Sequence, residues 1–263
     1  MINMVTAIEE HVSPSKPVAY ATYQRHINRY IFAGKFIKDK VILDIGCGAG
    51  LGIKYWLAKG AKEVVGIDID DKAVKEARNW NKGTAIMVAD AQTLSFPDST
   101  FDTIVALEVI EHLKDADTFL AECWRVLNVG GTFICSTPNR QVVAPMLKKP
   151  RNPHHLKEFN PSEFHKLVGS HFPDTNLYGQ KMLSLKDRIK PELIAITDNT
   201  VTKIFGNDGL RELLLKVGKP MLAQPHYSQF NEDFEGRVDK DYMITELNGR
   251  VPETLVVVAR KGK

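Results

Sequence analysis

Two sets of side chains have the types and spacing for chemistry. The first is acidic: Asp44, Asp68 and Asp90 each stand at the end of an apolar run, and Gly46, Cys47, Gly48 and Gly50 follow the first of them. Carboxylates accept hydrogens from hydroxyls and amines but repel phosphate, while glycines without Cβ atoms let the backbone turn sharply and approach a ligand. That set suits an uncharged or cationic nucleoside. The second set is Glu108-Val109-Ile110-Glu111-His112, together with His155 in Asn152-Pro153-His154-His155. Histidine titrates near neutral pH and is the simplest group to take a proton from an oxygen or nitrogen nucleophile. His112 and His155 are therefore the candidate catalytic bases.

These residues need elements to hold them. Val41 to Ile45 reads as a buried strand, and the apolar residues after the glycines as a helix. Glu63 to Asp70 is a second strand, Asp71 to Asn81 a helix with Ala73, Val74 and Ala77 on one side, and Thr84 to Asp90 a third strand. Phe101 to Glu108 is a fourth, Phe119 to Leu127 a helix, and Thr132 to Thr137 a fifth strand after a Gly130-Gly131 turn. Such alternation predicts an α/β fold with a doubly wound parallel sheet, whose ligand crevice lies beyond the strand carboxyl ends. A helix over 18–37, with Tyr23, Ile27, Tyr30 and Ile31 at helical spacing, precedes the first strand and carries His26 and Arg29. Placed over the crevice, Arg29 can pair with a ligand carboxylate; as a solvated basic patch it needs no ligand.

The glycine spacing separates two nucleotide chemistries. A dinucleotide fingerprint requires glycine three residues after its second glycine, and here that position is Leu51. With Asp44 in the turn, a pyrophosphate-binding oxidoreductase is disfavoured. Asp68 lies 18 residues past Gly50, close to the ~20 of an acid that holds ribose hydroxyls. Asp90 can accept from an adenine amine, with Ile69 and Ala91 lying against the ring, whereas Asp70 or Asp71 reads better as a helix N-cap.

Length and composition bound the answer. The chain has 263 residues, 43% hydrophobic and 25% charged, which fits one large α/β domain or one domain with a lid. A formal charge of +3 is too mild to imply a nucleic-acid surface. Cys47, Cys123 and Cys135 form no CxxC pair and read as reduced thiols. No apolar run approaches a membrane span and the first residues lack a signal-peptide pattern, so the expected location is cytoplasmic.

At this point the motifs converge. Val41–Gly50, Val64–Asp70, Val88–Ala91, Phe101–Leu113 and Leu127–Asn139 resemble, in order and spacing, those of class I S-adenosylmethionine-dependent methyltransferases. The resemblance covers roughly residues 20 to 185 and implies a Rossmann-like fold of seven strands, the last antiparallel and supplied by Glu253 to Lys261. It implies S-adenosylmethionine as cofactor, held by His26, Arg29, Asp44, Gly46, Cys47, Gly48, Gly50, Asp68, Ile69, Asp90, Ala91, Leu107 and Glu108. Within that set Asp68 takes the ribose hydroxyls, Asp90 and Ala91 the adenine, and Leu107 and Glu108 flank the sulfonium. Val129, where the family usually has proline, is a departure confined to a turn.

A metal is the competing use of the second set. On a helix Glu108, Glu111 and His112 share one face, and with His155 they can hold a divalent ion. That spacing resembles the metal-dependent small-RNA 2′-O-methyltransferases, and Glu-x-x-Glu-His alone resembles the ubiquinone-pathway O-methyltransferases. Acids near a helix start are also favoured by its dipole with no ion present.

The predicted division is a methyltransferase domain of residues 1–182 plus 251–263, and a cap over 183–250 that supplies acceptor contacts. The insertion, far longer than a connection needs, has helical patterns at Pro191–Ile196 and Leu210–Val217 and aromatics at Tyr227, Phe230, Phe234 and Tyr242. It is not strongly basic, which disfavours nucleic acid. The expected acceptor is a small molecule methylated at a hydroxyl, and the expected assembly a monomer or homodimer. The alternatives are metal-dependent 2′-O-methylation of RNA ends and a nucleotide-binding protein without turnover.

Overall fold

The computed structural model describes residues 20–145, 149–150, 152–180, 244–247 and 251–262. Its elements are, in chain order, α1 (Tyr20–Ala33), β1 (Val41–Ile45), α2 (Leu51–Ala58), β2 (Glu63–Asp68), α3 (Asp71–Trp80), β3 (Ala85–Val88), β4 (Phe101–Leu107), α4 (Ala116–Val126), β5 (Leu127–Pro138), α5 (Arg140–Val143), α6 (Pro161–His171), β6 (Asp174–Gln180), β7 (Ile244–Glu246) and β8 (Thr254–Arg260).

The strands form one sheet in the order β3-β2-β1-β4-β5-β8-β6-β7. Strands β1 to β5 pair in parallel, and β8 runs antiparallel between β5 and β6. Because both faces are covered, the strands are apolar on both sides. Along β1, Ile42 enters one core with residues of α1, α2 and α3, while Leu43 and Ile45 enter the other with residues of α4 and α6. This is the doubly wound arrangement read from the alternation.

Helix starts follow from local chemistry. Asp70 caps α3 by accepting the Lys72 N–H at 2.9 Å, as expected of it, and Asp115 caps α4 through the Thr118 N–H at 3.0 Å. Asn160 and Glu163 satisfy each other's backbone N–H groups at the start of α6.

Two features depart from the sequence pattern. Gly130-Gly131 is a bulge inside β5 rather than a turn before it: Phe101 pairs with Leu127 and Thr103 with Thr132. Gly130 has φ +76 there, and Val129 is exposed on the bulge. Among the described residues the sheet also has eight strands, not seven. The extra one, β7, pairs with β6 and comes from the end of the predicted cap, so residues 244–246 belong to the sheet edge. Three residues are too few to print an alternation. The helical patterns and the four aromatics predicted for the cap lie outside the described residues. Among the described residues no helix is long and apolar enough to cross a membrane, and the three cysteines are buried thiols.

The chain order reverses at β1, which lies between β2 and β4. At such a switch point the loops after neighbouring strands part and leave a crevice at the carboxyl ends.

Candidate functional site

A cavity of about 410 Å³ occupies that crevice. The loop after β1 forms its floor. Gly46 and Gly48 take φ +70 and +51, in the left-handed region open to glycine. A Cβ on Gly46 would stand 2.4 Å from Val109 Cγ2, so the loop after β4 packs directly on this turn. Four of the five backbone N–H groups of the loop donate inside the protein: those of Gly46 and Cys47 to the Ile67 carbonyl at 2.8 and 2.9 Å, that of Gly50 to Cys47 O at 2.9 Å, and that of Gly48 to Asp68 Oδ2 at 2.8 Å. Such a turn is not the concave nest of free N–H groups that binds phosphate.

Carboxylates dominate the walls. Asp44, Asp68, Asp90 and Glu108 all line the cavity, with His26, His112 and Lys114 as the basic groups on it. Asp68 is anchored from both sides, Oδ1 accepting the Asp70 N–H at 2.9 Å and Oδ2 that of Gly48. Asp90 Oδ1 accepts the Gln92 N–H at 2.8 Å. Burial, and then the nearby Asp68 carboxylate, push the Asp44 carboxyl well above the usual carboxylate range. Burial and Asp44 likewise raise the Tyr30 phenol and the Cys47 thiol. Burial and the neighbouring carboxylate thus favour the protonated form of Asp44, and a cation bound beside it would favour the ionised one. Ile69 borders the cavity while 72% exposed, a large apolar side chain left in solvent beside a nucleoside-sized space.

Of the residues singled out for the cofactor, His26, Asp44, Gly46, Cys47, Gly48, Ile69, Asp68, Asp90, Ala91, Leu107 and Glu108 line the cavity. Arg29 and Gly50 do not. Arg29 is buried behind the wall, with Nη1 donating to Gln180 Oε1 at 3.1 Å and lying 3.9 Å from Glu108 Oε2. It ties α1 to the end of β6. Gly50, at φ +79, starts α2, and a Cβ there would lie 2.4 Å from Asn81 Nδ2; it permits α2 to pack against α3.

Several wall residues escaped the sequence. Tyr30 lines the cavity. It stands four residues after His26 on α1, the spacing that puts two side chains on one helix face, so it was findable. Gln92, Val109 and Lys114 follow strand ends, where no pattern marks them.

The region beyond β4 differs from its prediction. Ile110–His112 is a single 3-10 turn, and Glu108, at φ +58, precedes it in the left-handed region. The shared helix face therefore does not form. Glu108 turns towards β5, where Oε1 accepts the Ser136 hydroxyl at 2.7 Å. Glu111 points inward and is fully buried, with Oε2 accepting the Thr137 hydroxyl at 3.1 Å. Its carboxyl lies well above the usual range, first through burial and then through Glu108.

His112 lines the cavity and His155 does not. The His155 loop is nevertheless fastened to the turn, because the N–H groups of Leu156 and Lys157 donate to Glu111 O at 2.8 and 3.2 Å. The two imidazoles meet edge to face, 4.9 Å between centroids. A carbonyl or carboxylate can only accept, so each ring's Nδ1 is the donor: His112 to His154 O at 3.1 Å, and His155 to Glu158 Oε1 at 3.0 Å. In the neutral rings the lone pair therefore sits on Nε2.

With the geometry in view, the comparisons with known proteins are specific. Residues 43–135 match the family described as "Methyltransferase domain". The chain is 39% identical over 146 residues to a probable S-adenosylmethionine-dependent methyltransferase of Mycolicibacterium smegmatis, covering 56% of each chain. It is 37% identical over 107 residues to a ubiquinone biosynthesis O-methyltransferase of Mesorhizobium japonicum, covering 39% of this chain and 43% of that one. The chain thus spans about half the length of these relatives. Among solved structures, a SAM-dependent methyltransferase of Archaeoglobus fulgidus shares the fold, with a TM-score of 0.58 at 17% identity over 92% of this chain and 94% of that one.

Proposed function

Because this chain carries a class I S-adenosylmethionine-dependent methyltransferase domain, we propose that it transfers a methyl group from S-adenosylmethionine to a hydroxyl of a small molecule. The observation that carries this reading is the floor of the crevice. Four of its five loop N–H groups are consumed internally while four carboxylates line the cavity, so the space repels a pyrophosphate and suits a cationic nucleoside.

The residues present fit that group. Asp68, buried and pre-aligned by two backbone donors, accepts the two ribose hydroxyls, and Ile69 and Ala91 cover the adenine beside Asp90. Asp44 answers the ammonium, and His26 and Lys114 the carboxylate. Leu107 and Glu108 border the sulfonium end. When bound, S-adenosylmethionine supplies an electrophilic methyl group with a neutral thioether as leaving group. For such a displacement the protein has to hold the acceptor in line and keep water out. His112, the imidazole on the cavity wall nearest Glu108 in the chain, is the candidate base for an acceptor hydroxyl.

Calorimetry with S-adenosylmethionine and with NAD tests the cofactor. Stoichiometric binding of the first and none of the second is expected; the reverse sinks the proposal. Transfer of a labelled methyl group into small-molecule extract fractions tests turnover, and a chain that binds the cofactor yet labels nothing is a binding protein instead.

A further inference from the structure

A second, smaller cavity of about 160 Å³ lies beside the crevice, and Leu156 borders both spaces. The rest of its lining is Arg140, Pro150, Lys157, Glu158 and Glu163. Tertiary pairing brings these residues together: Asn139 bridges Phe159, and the Arg140 N–H donates to the Phe159 carbonyl at 2.9 Å. The start of α5 thus lies against the segment that carries Lys157 and Glu158. Glu158 is the member with an unmet need. Its side chain is only 2% exposed, Oε1 is committed to His155 Nδ1 at 3.0 Å, and Oε2 is buried with no hydrogen-bond partner. Leaving a buried acceptor unpaired is costly, and an occupant that donates a hydrogen to it removes the cost.

The lining selects among occupants. An anion meets the Glu158 and Glu163 carboxylates, and a cation meets Arg140 and Lys157. An aromatic ring would desolvate four charged side chains without pairing them. Hydroxyl groups suit all four, since each can donate to a carboxylate and accept from a guanidinium or an ammonium. The apolar face of the same ring can rest on Leu156, which is 55% exposed. Size points the same way: the space is well below the roughly 300 Å³ at which pockets for drug-sized ligands begin, so it takes one ring of a larger molecule.

We infer that this second cavity is a specificity subsite for a neutral, hydroxyl-bearing ring of the methyl acceptor, a polyol or a sugar, whose reacting hydroxyl extends past Leu156 into the crevice. The subsite rests on the methyl-transfer reading. Glu158 Oε2 accepts one ring hydroxyl, while Arg140 and Lys157 donate from the exposed rim. Glu163 is held in place at the start of α6, where its Oε2 accepts the Asn160 N–H at 3.0 Å.

The test is saturation-transfer NMR on the purified full-length chain, with myo-inositol and methyl α-D-glucoside as probes and with benzoate and phenol as the anionic and aromatic controls. Saturable binding of at least one polyol, tighter than either control, is expected. Arg140→Ala and Lys157→Ala on the rim, and Glu158→Gln in the wall, should each weaken it about tenfold or more, as for a lost hydrogen bond to a charged group. S-adenosylmethionine affinity should hold in all three and reports folding, because none of these residues lines the crevice. If Glu158→Gln fails to fold, the two rim variants carry the test. With labelled S-adenosylmethionine, Arg140→Ala should raise the KM of a polyol acceptor and leave kcat unchanged, the mark of a group that only binds. No saturable binding of either polyol, a preference for benzoate or phenol, or equal polyol binding by wild type and every folded variant overturns the subsite. Polyol binding by a wild type that takes no S-adenosylmethionine would instead overturn the methyl-transfer reading and leave the polyol site standing.

Discussion

The floor of the crevice and the wall beyond β4 both rest on buried carboxylates, but in opposite states of satisfaction. On the floor, both oxygens of Asp68 accept backbone N–H groups, from Gly48 and Asp70. On the wall, Glu111 has one oxygen on Thr137 and the other unpaired. The floor is built from β1, β2 and the turn that joins β1 to α2. The wall needs Glu108 and Ser136, from the ends of β4 and β5, and His155, from the loop between α5 and α6. Local backbone geometry finishes the floor, whereas the wall, assembled from distant segments, keeps one buried acceptor open.

That contrast can be broken from either side. The largest effect is expected of Asp68→Ala, which removes a charged acceptor from the proposed ribose site. Cofactor affinity should fall by about 1–3 kcal/mol, or about 5- to 150-fold in Kd. An unchanged dissociation constant by calorimetry would deny the floor its role. Gly46→Ala comes next. It forces a side chain into φ +70 and sets a Cβ 2.4 Å from Val109 Cγ2, so it should lower stability by about 1–3 kcal/mol in denaturant unfolding. A variant as stable as wild type would show that the floor and the β4 loop are not tightly packed.

A subtler effect is expected of Asp44. Its folded carboxyl is raised by burial and by Asp68, so the folded chain binds this proton more tightly than the unfolded chain. Its contribution to stability is complete below the unfolded value of about 3.9 and is lost as pH rises through the folded one. A cationic ligand favours the ionised form, so cofactor affinity should climb with pH across the same interval. Asp44→Asn should flatten both slopes and stabilise the cofactor-free chain at neutral pH; calorimetry and unfolding at several pH values read both. Retained slopes would assign them to another group. The smallest effect belongs to Lys75→Ala, which removes an exposed ion pair with Asp71 on α3, away from both regions. Melting temperature and cofactor affinity should be unaltered, and a change in affinity would mean that α3 reports to the site.

The amino-acid sequence by itself determined the doubly wound core and most of the floor. Both are written in short-range terms: alternating apolar runs, the Gly46 and Gly48 turn, and acids at successive strand ends. Gly50 and Arg29 show where such reasoning stops, since glycine spacing cannot distinguish a turn that meets a ligand from one that meets Asn81, nor a basic patch from a buried link to Gln180. Only the tertiary structure decided the wall. A 3-10 turn replaced the helix over 110–112, Glu108 and Glu111 diverged, and the loop after β5 folded back so that His155 met His112 and Glu111. Contacts between residues more than forty positions apart depend on how strands stack and loops return, and no local period records that.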